Sequence, residues 1–375
     1  MVGAGQLARM THQAAIPLGQ SLRILADSRD DGAALVAADV EVGDYRNLDD
    51  LRAFARGCDV VTFDHEDVPN EHVRALEADG VAVQPTAAAL RFAQDKQAMR
   101  ERLTALGIPC PRWTPVGSVV DLEAFGAEVG WPLVLKSTRG GYDGKGVWIV
   151  ADVDEASEVL AIGASFLAEE RVMIVRELAA DVARSPYGQG AVWPVVETVQ
   201  QNGICVEVIA PAPGLSEDLA NEAQSLALRI AEELGVTGVL AVELFQTVDG
   251  LLVNELAMRP HNSAHWTIEG ARTSQFEQHL RAVLDYPLGS TTPTAPVVVM
   301  ANLLGGPDGV VPKGIDERVH HCMAHWPEVK IHLYGKQFRP GRKVGHVTAL
   351  GDDLEYVHGR ARAAADYLMN GDRDA

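Results

Sequence analysis

Two β-rich runs flank a glycine-rich loop in the stretch Leu133-Val-Leu-Lys-Ser-Thr-Arg-Gly-Gly-Tyr-Asp-Gly-Lys-Gly-Val-Trp-Ile-Val150. The runs predict two paired strands joined by the loop. Glycine lets main-chain N–H groups approach phosphate oxygens, and the nearby cations Lys136, Arg139 and Lys145 add positive charge. The loop is not a Walker A motif, because G-x-x-x-x-G-K-[ST] cannot be aligned on it. We interpret it as a polyphosphate-binding loop; the alternative is a surface hairpin with solvated lysines.

A second hairpin is predicted further along, where strands Val239–Phe245 and Leu251–Ala257 are joined through Val248-Asp249-Gly250. A two-residue Asp-Gly turn would place Glu243 and Glu255 on opposite faces of the hairpin. A three-residue loop with a left-handed Gly250 would pair Thr247 with Leu251 and place the two glutamates directly opposite each other.

The opposed arrangement of Glu243 and Glu255 predicts a cation site. Like charges that face each other on one sheet surface are destabilising unless a cation lies between them. Mg²⁺ is commonly held by one or two carboxylates together with substrate phosphates, so a metal that bridges a nucleotide fits. We therefore favour the three-residue loop. The alternative, a pair of ordinary exposed glutamates, agrees poorly with the apolar residues around them.

The N-terminal stretch Gly3-Ala-Gly-Gln-Leu-Ala8 fits the G-x-G-x-x-A pattern and leads into a predicted helix that ends near Leu18. The next apolar run ends at Asp27, so an NAD-dependent oxidoreductase is one hypothesis. However, two residues precede Gly3, so either the first strand is unusually short or the true start lies upstream. Such a turn also binds other phosphates at a helix N-terminus, or serves fold geometry alone.

Alternating strands and helices predict a parallel sheet covered on both faces in the first hundred residues. The predicted elements are a weak helix at Asp31–Ala37, strands at Asp39–Val42, Val60–Phe63 and Val81–Gln84, a helix at Leu48–Arg56, and one helix that contains Gln94–Gln97 and continues to Leu106. Asp64-His-Glu-Asp67 follows the third of these strands, at the edge where open α/β sheets bind ligands. We select Glu66 as a substrate contact; the alternative is that these acids cap a helix near Asn70.

The remaining chain predicts further strands and helices and a basic tail. The predicted elements are helices at Asp121–Val129, Val153–Ile162 and Leu219–Leu234, strands at Val172–Glu177, Val192–Gln200, Ile204–Ile209, Val297–Leu303, Lys330–Leu333 and Val344–Ala349, and a last helix to Met369. Four cations crowd the glycine-containing tail at Lys336, Arg339, Arg342 and Lys343. In an acidic protein this cluster predicts a phosphate clamp, with a solvated basic turn as the alternative.

Composition excludes several classes of function. The 375 residues suggest two or three domains. With 32 basic and 52 acidic residues the formal charge is −20, which argues against nucleic acid as the main partner. We find no apolar run that could span a membrane and no secretory pattern, so we expect a cytoplasmic protein without a membrane partner.

Metal-binding motifs built from cysteine or histidine are weak here. The four cysteines are isolated, which predicts neither a disulfide framework nor a zinc knuckle. His261 and His265 have zincin spacing, but no glutamate follows the first histidine. A second pair, His321 and His325 near Cys322, is more often structural than ligating.

Five fragments of the sequence together resemble the 5-(carboxyamino)imidazole ribonucleotide synthase family, the biotin-independent ATP-grasp carboxylases. They are Gly3–Met10, Gly140–Gly146, Asn254–Ala257, His261–Trp266 and Arg339–His346, in that order. The resemblance implies an α/β protein, with α+β character in the middle, that has an ATP-grasp fold. It also implies an N-terminal Rossmann-like parallel-sheet domain at 1–97, an ATP-grasp domain at 98–290 with a mobile glycine lid at 138–147, and a small β-rich C-terminal domain at 291–375 that ends in a helix.

The resemblance also implies a reaction. ATP phosphorylates bicarbonate to carboxyphosphate, and the exocyclic amine of 5-aminoimidazole ribonucleotide takes the carboxyl group, with release of ADP and phosphate. Magnesium is required and biotin is not, and a homodimer is expected. The runner-up hypotheses are another ATP-grasp carboxylate–amine ligase and a non-catalytic ATP-binding module. The latter would lack Arg259, His261 and the tail cations, which are all present.

Site residues follow from the resemblance by motif. The implied catalytic residues are Arg259, His261 and Lys136. The implied ATP-binding residues are Lys96, Lys136, Gly141, Tyr142, Asp143, Gly144, Lys145, Gly146, Val147, Glu169, Glu170, Arg171, Val172, Glu177, Gln200, Asn254 and Glu255. The implied contacts to ribonucleotide and bicarbonate are Gln6, Glu66, Tyr142, Asp143, Asn262, Ser263, Lys336, Arg342 and Lys343, and the implied metal ligands are Glu243 and Glu255. The chain departs from the family pattern at Gln200, Met258 and Pro260.

Overall fold

The computed structural model describes residues 1–141, 144–306 and 314–371. Two residues that were predicted to bind ATP and the ribonucleotide, Tyr142 and Asp143, lie outside these ranges. Within them, the strands form a small parallel sheet near the N-terminus, a four-stranded antiparallel sheet, and a nine-stranded sheet that continues into the C-terminal part.

The N-terminal sheet is parallel, as predicted. Strand β1 (Arg23–Ala26) pairs with β2 (Asp39–Val42), and Val2 bridges both Leu25 and Phe63. The predicted strands Val60–Phe63 and Val81–Gln84 are wrong as continuous strands, because each is joined to its neighbours by single bridges. The helices that cover this sheet and lead out of it are α1 (Gln6–Ala15), α2 (Leu48–Ala55), α3 (Asn70–Ala78), α4 (Ala87–Gln94) and α5 (Lys96–Ala105).

Two helix predictions in this region are wrong. Residues 32–36 form turns: Val36 N–H donates to the Ala33 carbonyl, and the Gly32 carbonyl, which a helix would pair with Val36 N–H, accepts from Arg9 Nη1 at 2.7 Å. The predicted single helix up to Leu106 is broken at Asp95, which has an extended backbone. The Asp95 side chain then caps α5 by accepting a hydrogen bond from Ala98 N–H.

The four-stranded sheet contains the predicted glycine-loop hairpin. Its strands are β3 (Trp113–Val116), β4 (Leu133–Ser137), β5 (Val147–Val150) and β6 (Phe166–Glu170), in the order β3-β6-β4-β5. Strands β4 and β5 pair as expected, with Lys136 opposite Val147. Helices α6 (Val119–Val129) and α7 (Val153–Leu160) cover one face of the sheet. The loop needs glycine at 141, because a Cβ there would lie 2.7 Å from the Lys145 carbonyl oxygen.

The nine-stranded sheet forms the main body of the molecule. Its strands are β7 (Arg176–Arg184), β8 (Gly190–Val192), β9 (Val196–Gln201), β10 (Ile204–Ala210), β11 (Gly238–Thr247), β12 (Gly250–Ala257), β13 (Val297–Leu304), β14 (Lys330–Leu333) and β15 (Lys343–Gly351). The spatial order is β12-β11-β7-β9-β10-β13-β15-β14, with β8 beside β7. The turn between β9 and β10 falls at Asn202-Gly203, as predicted, and both residues have positive φ.

One predicted strand of this region is wrong. Val172–Glu177 is not a strand, because β6 ends at Glu170 and β7 begins at Arg176. The five residues between them cross from the small sheet to the large one and leave Met173 83% exposed.

The large sheet is covered by helices on both faces. They are α8 (Glu217–Glu233), α9 (Thr267–Gly270), α10 (Gln275–Val283), α11 (Ile315–His325) and α12 (Leu354–Asn370). Helix α8 packs on an apolar layer that contains Leu178, Ala180 and Val182 of β7. Strand β13 pairs with β10 on one side and β15 on the other, so the C-terminal strands extend the same sheet.

Candidate active site

The acidic hairpin places its two glutamates opposite each other, as predicted, but the turn that does so is different. Thr247 pairs with Gly250, which leaves a two-residue turn rather than the predicted three-residue loop. This register alone would separate the glutamates. A β-bulge at Asn254 then shifts the ladder by one residue and brings Glu243 opposite Glu255.

The bulge also brings Asn254 into the site. An extra residue in a strand allows two successive side chains to point to nearly the same face. Asn254 Nδ2 donates to Glu243 Oε2 at 3.2 Å, and Asn254 Oδ1 accepts from Lys136 Nζ at 2.9 Å. The amide therefore links the acidic hairpin to the strand that begins the glycine loop.

Beneath this amide lies a buried ion-pair network. Glu169 accepts from Lys136 Nζ at 2.8 Å and from Arg100 Nε at 2.7 Å. Arg100 Nη2 also donates to the Asn254 carbonyl at 2.7 Å, so this guanidinium supports the bulge directly. Burial alone would raise the pKa of Glu169, but Lys136 and Arg100 outweigh burial and hold the pKa below its ordinary value.

Glu243 lies in the opposite electrostatic situation. Burial, followed by the nearby charges of Glu255 and Glu177, raises its pKa to about 7. The carboxylate of Glu255 contacts Lys96 Nζ, whereas the imidazole nitrogen His261 Nε2 lies 3.5 Å from Glu243 Oε1.

A cleft with a volume of about 1170 Å³ opens above the hairpin. Residues from the N-terminal, middle and C-terminal parts of the chain line it together. The predicted site residues in this lining are Gln6, Glu66, Gly141, Lys145, Glu243, Glu255, Arg259, His261, Asn262, Lys336, Arg342 and Lys343.

Arg259 is held in the cleft by a carboxylate from the N-terminal part of the chain. Glu66 Oε2 accepts from Arg259 Nε at 3.0 Å, and Glu66 Oε1 accepts from Met258 N–H at 2.9 Å. This arrangement fixes the inner edge of the guanidinium and directs its remaining donors elsewhere. Glu66, predicted as a substrate contact, lines the cleft but is occupied by these two bonds.

His261 is neutral and firmly anchored. Its main chain exchanges two hydrogen bonds with the Gln275 side chain, at 2.7 and 2.8 Å. Burial, together with the charges of Arg259 and Lys343, lowers its pKa well below the ordinary value. A neutral imidazole in a cleft can act as a proton acceptor.

The basic tail meets the first turn at the far end of the cleft. Lys336 Nζ donates to Gln6 Oε1, and Arg342 and Lys343 also line the cleft; the charge of Lys343 acts on the pKa values of both Glu243 and His261. The Asp64 carboxylate already accepts from Gly5 N–H at 2.6 Å and Ala8 N–H at 2.8 Å. The start of α1 therefore offers a phosphate fewer amides than its sequence pattern suggested, and the tail supplies the positive charge.

Known domain families match the chain in three consecutive parts. Residues 1–94 match the ribonucleotide synthetase preATP-grasp domain, residues 101–276 the ATP-grasp domain, and residues 298–360 the phosphoribosylaminoimidazole carboxylase C-terminal domain. An N5-carboxyaminoimidazole ribonucleotide synthase from Mycobacterium tuberculosis is 59% identical over 376 residues, which cover 99% of this chain and 87% of that protein. The chain belongs to the N5-carboxyaminoimidazole ribonucleotide synthase family.

Solved structures of N5-carboxyaminoimidazole ribonucleotide synthases share the whole fold. The enzyme from Thermus thermophilus is 39% identical with a TM-score of 0.88, and the match covers 100% of both chains. The enzyme from Aspergillus clavatus, solved with ADP and 5-aminoimidazole ribonucleotide, is 31% identical with a TM-score of 0.87 over 98% of both chains.

Membership of the N5-carboxyaminoimidazole ribonucleotide synthase family confirms three predictions. The fold is an ATP-grasp fold with a preATP-grasp domain before it and a family-specific region after it. The protein is an ATP-binding ligase of purine biosynthesis, and its reaction is the ATP-dependent carboxylation of 5-aminoimidazole ribonucleotide. The oxidoreductase hypothesis is therefore wrong, as is the non-catalytic ATP-binding module.

Some residues implied by the synthase resemblance lie away from the cleft lining. Lys96, Lys136, Glu169 and Asn254 form the layer beneath it. The others outside the lining are Gly144, Gly146, Val147, Glu170, Arg171, Val172, Glu177, Gln200 and Ser263. Ser263 is buried, and its hydroxyl contacts Asp181 rather than the cleft.

Sequence reasoning missed two residues of this synthase site. Arg100 lies four residues after Lys96 on α5, so i,i+4 spacing on one helix face was an available signal. Asp181 is a single acid within the apolar run Leu178-Ala-Ala-Asp-Val-Ala183, and a buried acid without a partner in its own strand was the signal there.

Proposed function

We propose that the cleft binds ATP and its metal at the acidic hairpin and binds 5-aminoimidazole ribonucleotide between the first turn and the basic tail, with bicarbonate between them. The observation that carries this proposal is the continuous lining of one cleft. Glu243 and Glu255 share it with Arg259, His261 and the tail cations.

Magnesium fits the acidic hairpin. The two opposed carboxylates supply hard oxygen ligands, and Mg²⁺ completes such sites with water and phosphate oxygens. The pKa of Glu243 is raised to about 7 because burial and the charges of Glu255 and Glu177 outweigh the charges of Lys343 and Lys96, so a cation here would relieve excess negative charge. Glu243 and Glu255 would hold the ion, which would supply positive charge against the phosphate oxygens of ATP.

In our proposal, Lys136 and Lys96 would grip the terminal phosphates of ATP. Each is now paired with a glutamate, Lys136 with Glu169 and Lys96 with Glu255. A bicarbonate oxygen attacks the terminal phosphorus of ATP. The bond between this phosphorus and the bridging oxygen breaks, which releases ADP and forms carboxyphosphate. Fixed cations stabilise the charge of this transfer without a protein nucleophile.

Arg259 and His261 would serve the second step. The guanidinium, held at one edge by Glu66, can hold a carboxylate or carboxyphosphate in the cleft. The amine nitrogen then forms its bond to the carboxyl carbon as phosphate leaves, and one amine proton passes to a base. Neutral His261, in the cleft wall beside Glu243, is that base in our proposal.

Release of ADP from ATP, Mg²⁺ and bicarbonate, measured with and without 5-aminoimidazole ribonucleotide, tests the substrate assignment. We expect turnover to depend on the ribonucleotide. Turnover independent of it would contradict the assignment without affecting membership of the family.

The tail clamp is tested by Lys336→Met, with Lys330→Met as its control. Loss of a charge-assisted bond of roughly 1.5–3 kcal/mol should raise KM for the ribonucleotide by about tenfold or more while KM for ATP stays within about twofold. Lys330 is exposed on β14 outside the cleft, so its variant should leave both values unchanged. An unchanged KM for the ribonucleotide in Lys336→Met would refute the clamp.

Other expectations from the sequence and from the family resemblance stay predictions. These are the boundaries 1–97, 98–290 and 291–375, the mobility of the lid at 138–147, the homodimer and the cytoplasmic location. The described part of the chain contains no helix that is long and apolar enough to cross a membrane.

A further inference from the structure

A carboxylate on the large sheet lies at the end of a short hydrogen-bonded chain that leads to the cleft. Asp181 of β7 is 1% exposed and lies opposite Ala241 of β11. Its strand neighbours on the same face, Ala179 and Ala183, belong to an apolar layer that also contains Trp193. A charged group in such a layer requires a specific compensating contact.

That contact comes from one serine. Ser263 Oγ lies 2.9 Å from Asp181 Oδ1 and 3.1 Å from Asp181 Oδ2, and it is also 2.8 Å from His261 Nδ1. Burial raises the pKa of Asp181 to about 7, and the hydrogen bond from Ser263 opposes that rise. At pH values above about 7 the carboxylate is therefore mostly charged, and this hydroxyl favours the charged form.

A serine hydroxyl has a single proton, so its two partners cannot both accept from it. An ionised carboxylate can only accept, so Ser263 O–H donates to Asp181. Ser263 Oγ must then accept from His261 Nδ1–H. The neutral ring consequently carries its proton on Nδ1, and Nε2 keeps a free lone pair near Glu243 in the cleft.

Two competing contacts make the carboxylate decisive. Ser263 N–H approaches His261 Nδ1 at 3.4 Å, and Glu243 Oε1 lies 3.5 Å from Nε2; both contacts favour the opposite tautomer, with the proton on Nε2. Without a negative charge on Asp181, the Ser263 hydroxyl could also turn its proton towards Nδ1. An imidazole in that form presents an N–H to the cleft and cannot accept a proton there.

We propose that Asp181 is a positioning residue for the carboxylation: acting through Ser263, it sets the His261 tautomer that leaves Nε2 free to accept the amine proton. This rests on the proposed role of His261 as the base. It also gives Ser263 a function different from the substrate contact that the family resemblance implied. Asp181 touches neither substrate nor metal ligand and acts through two intervening side chains.

The test combines nitrogen NMR with steady-state kinetics. Protein containing ¹⁵N-histidine reports which ring nitrogen is protonated, and the His261 signals are assigned from their loss in His261→Gln. At pH 8, where the Asp181 carboxylate is ionised, we expect the wild type to show a protonated Nδ1 and an unprotonated Nε2. Observation of the Nε2–H tautomer in the wild type would overturn the proposal without any further variant.

Asp181→Asn keeps the size of the side chain and removes its charge. We expect the His261 proton to move to Nε2 or to be shared, and kcat to fall by roughly 100-fold or more, which is the scale of general base catalysis. KM for ATP and for the ribonucleotide should stay within about threefold, a split that general loosening of the fold would not produce. Ser263→Ala should have the same effects and serves if Asp181→Asn does not fold.

Glu207→Gln is the matched control. Glu207 is also a buried carboxylate of the large sheet, but its partners are His358 and Arg362 on α12. Its loss should leave both the His261 tautomer and kcat unchanged. A wild-type tautomer or a kcat within about threefold of wild type in Asp181→Asn would refute the proposal. Normal turnover in His261→Gln would instead refute the base, while the tautomer measurement would still decide what Asp181 does.

Discussion

Two glutamates in neighbouring layers of the site, Glu169 and Glu243, have pKa values shifted in opposite directions. The Glu169 side chain is 3% exposed, yet two cations hold its pKa below the ordinary value. Glu243 forms the cleft floor with 30% of its side chain exposed, and its pKa rises to about 7. The difference lies in the partners, not in the degree of burial.

The comparison separates structural charge from functional charge. Around Glu169 the chain supplies its own compensation, as expected for a permanently buried ion. Around Glu243 the direct contacts are an amide and a neutral imidazole, and the charges of Lys343 and Lys96 are outweighed by burial and by the charges of Glu255 and Glu177. A carboxylate left in this state is suited to a cation that arrives with the substrate.

Glu255→Gln tests the functional charge of the acidic hairpin and should have the largest effect of these variants. Replacing one of the two opposed carboxylates removes a proposed metal ligand, and we expect turnover to fall by roughly 1000-fold, a loss similar to that of a key electrostatic group. ADP release over a range of Mg²⁺ concentrations measures it. Asp249→Asn, at the exposed tip of the same hairpin, should behave as wild type. Near-normal turnover of Glu255→Gln at ordinary Mg²⁺ would contradict the metal site.

Arg100→Leu tests the structural charge, because it removes the ion pair with Glu169. Removing one cation from Glu169 leaves a buried charge with partial compensation, a change that typically costs about 3–5 kcal/mol of unfolding free energy. Denaturant unfolding gives this value. Arg102→Leu is a control on the same helix, because its ion pair with Glu233 is 40% exposed on both sides and is worth about 0–1 kcal/mol. Equal losses for the two variants would show that the network is not structural.

The pH dependence of metal-free stability should show the smallest effect. The folded-state pKa of Glu243 is raised from 4.5 to about 7, so its favourable contribution is complete below 4.5 and is lost as the pH rises through about 7. Glu243→Gln should flatten this part of the stability profile, and Mg²⁺ should restore stability at the upper end. Glu222→Gln, exposed on α8, is the control and should leave the profile unchanged. An identical profile in wild type and Glu243→Gln would refute the raised pKa.

The sequence predicted the principal hairpins and the opposition of Glu243 and Glu255, because strand alternation and turn residues are local signals. It did not predict the route to that opposition. The bulge at Asn254 depends on Arg100 and Lys136, which lie far away along the chain and are brought in by the fold. No local pattern could report these contacts.

The same limit applies to the charged residues. Arg100 and Glu169 are 69 positions apart, and the fold of the whole chain brings their side chains together. The family resemblance implied that Glu169 binds ATP. The structure shows Glu169 at the centre of a buried ion-pair network with Lys136 and Arg100. Family resemblance supplied the reaction, and tertiary contacts show which residues are already engaged before a substrate binds.

The unbroken sheet from β12 to β14 has a mechanical consequence. Its hydrogen-bonded ladder carries the acidic hairpin at one edge and leads into the basic tail near the other, so these two walls of the cleft belong to one plate. Hinging one wall against the other would require this ladder to bend or to separate. The sheet therefore fixes the separation between the acidic hairpin and the basic tail. A change in the width of the cleft would have to come from the four-stranded sheet that carries the glycine loop.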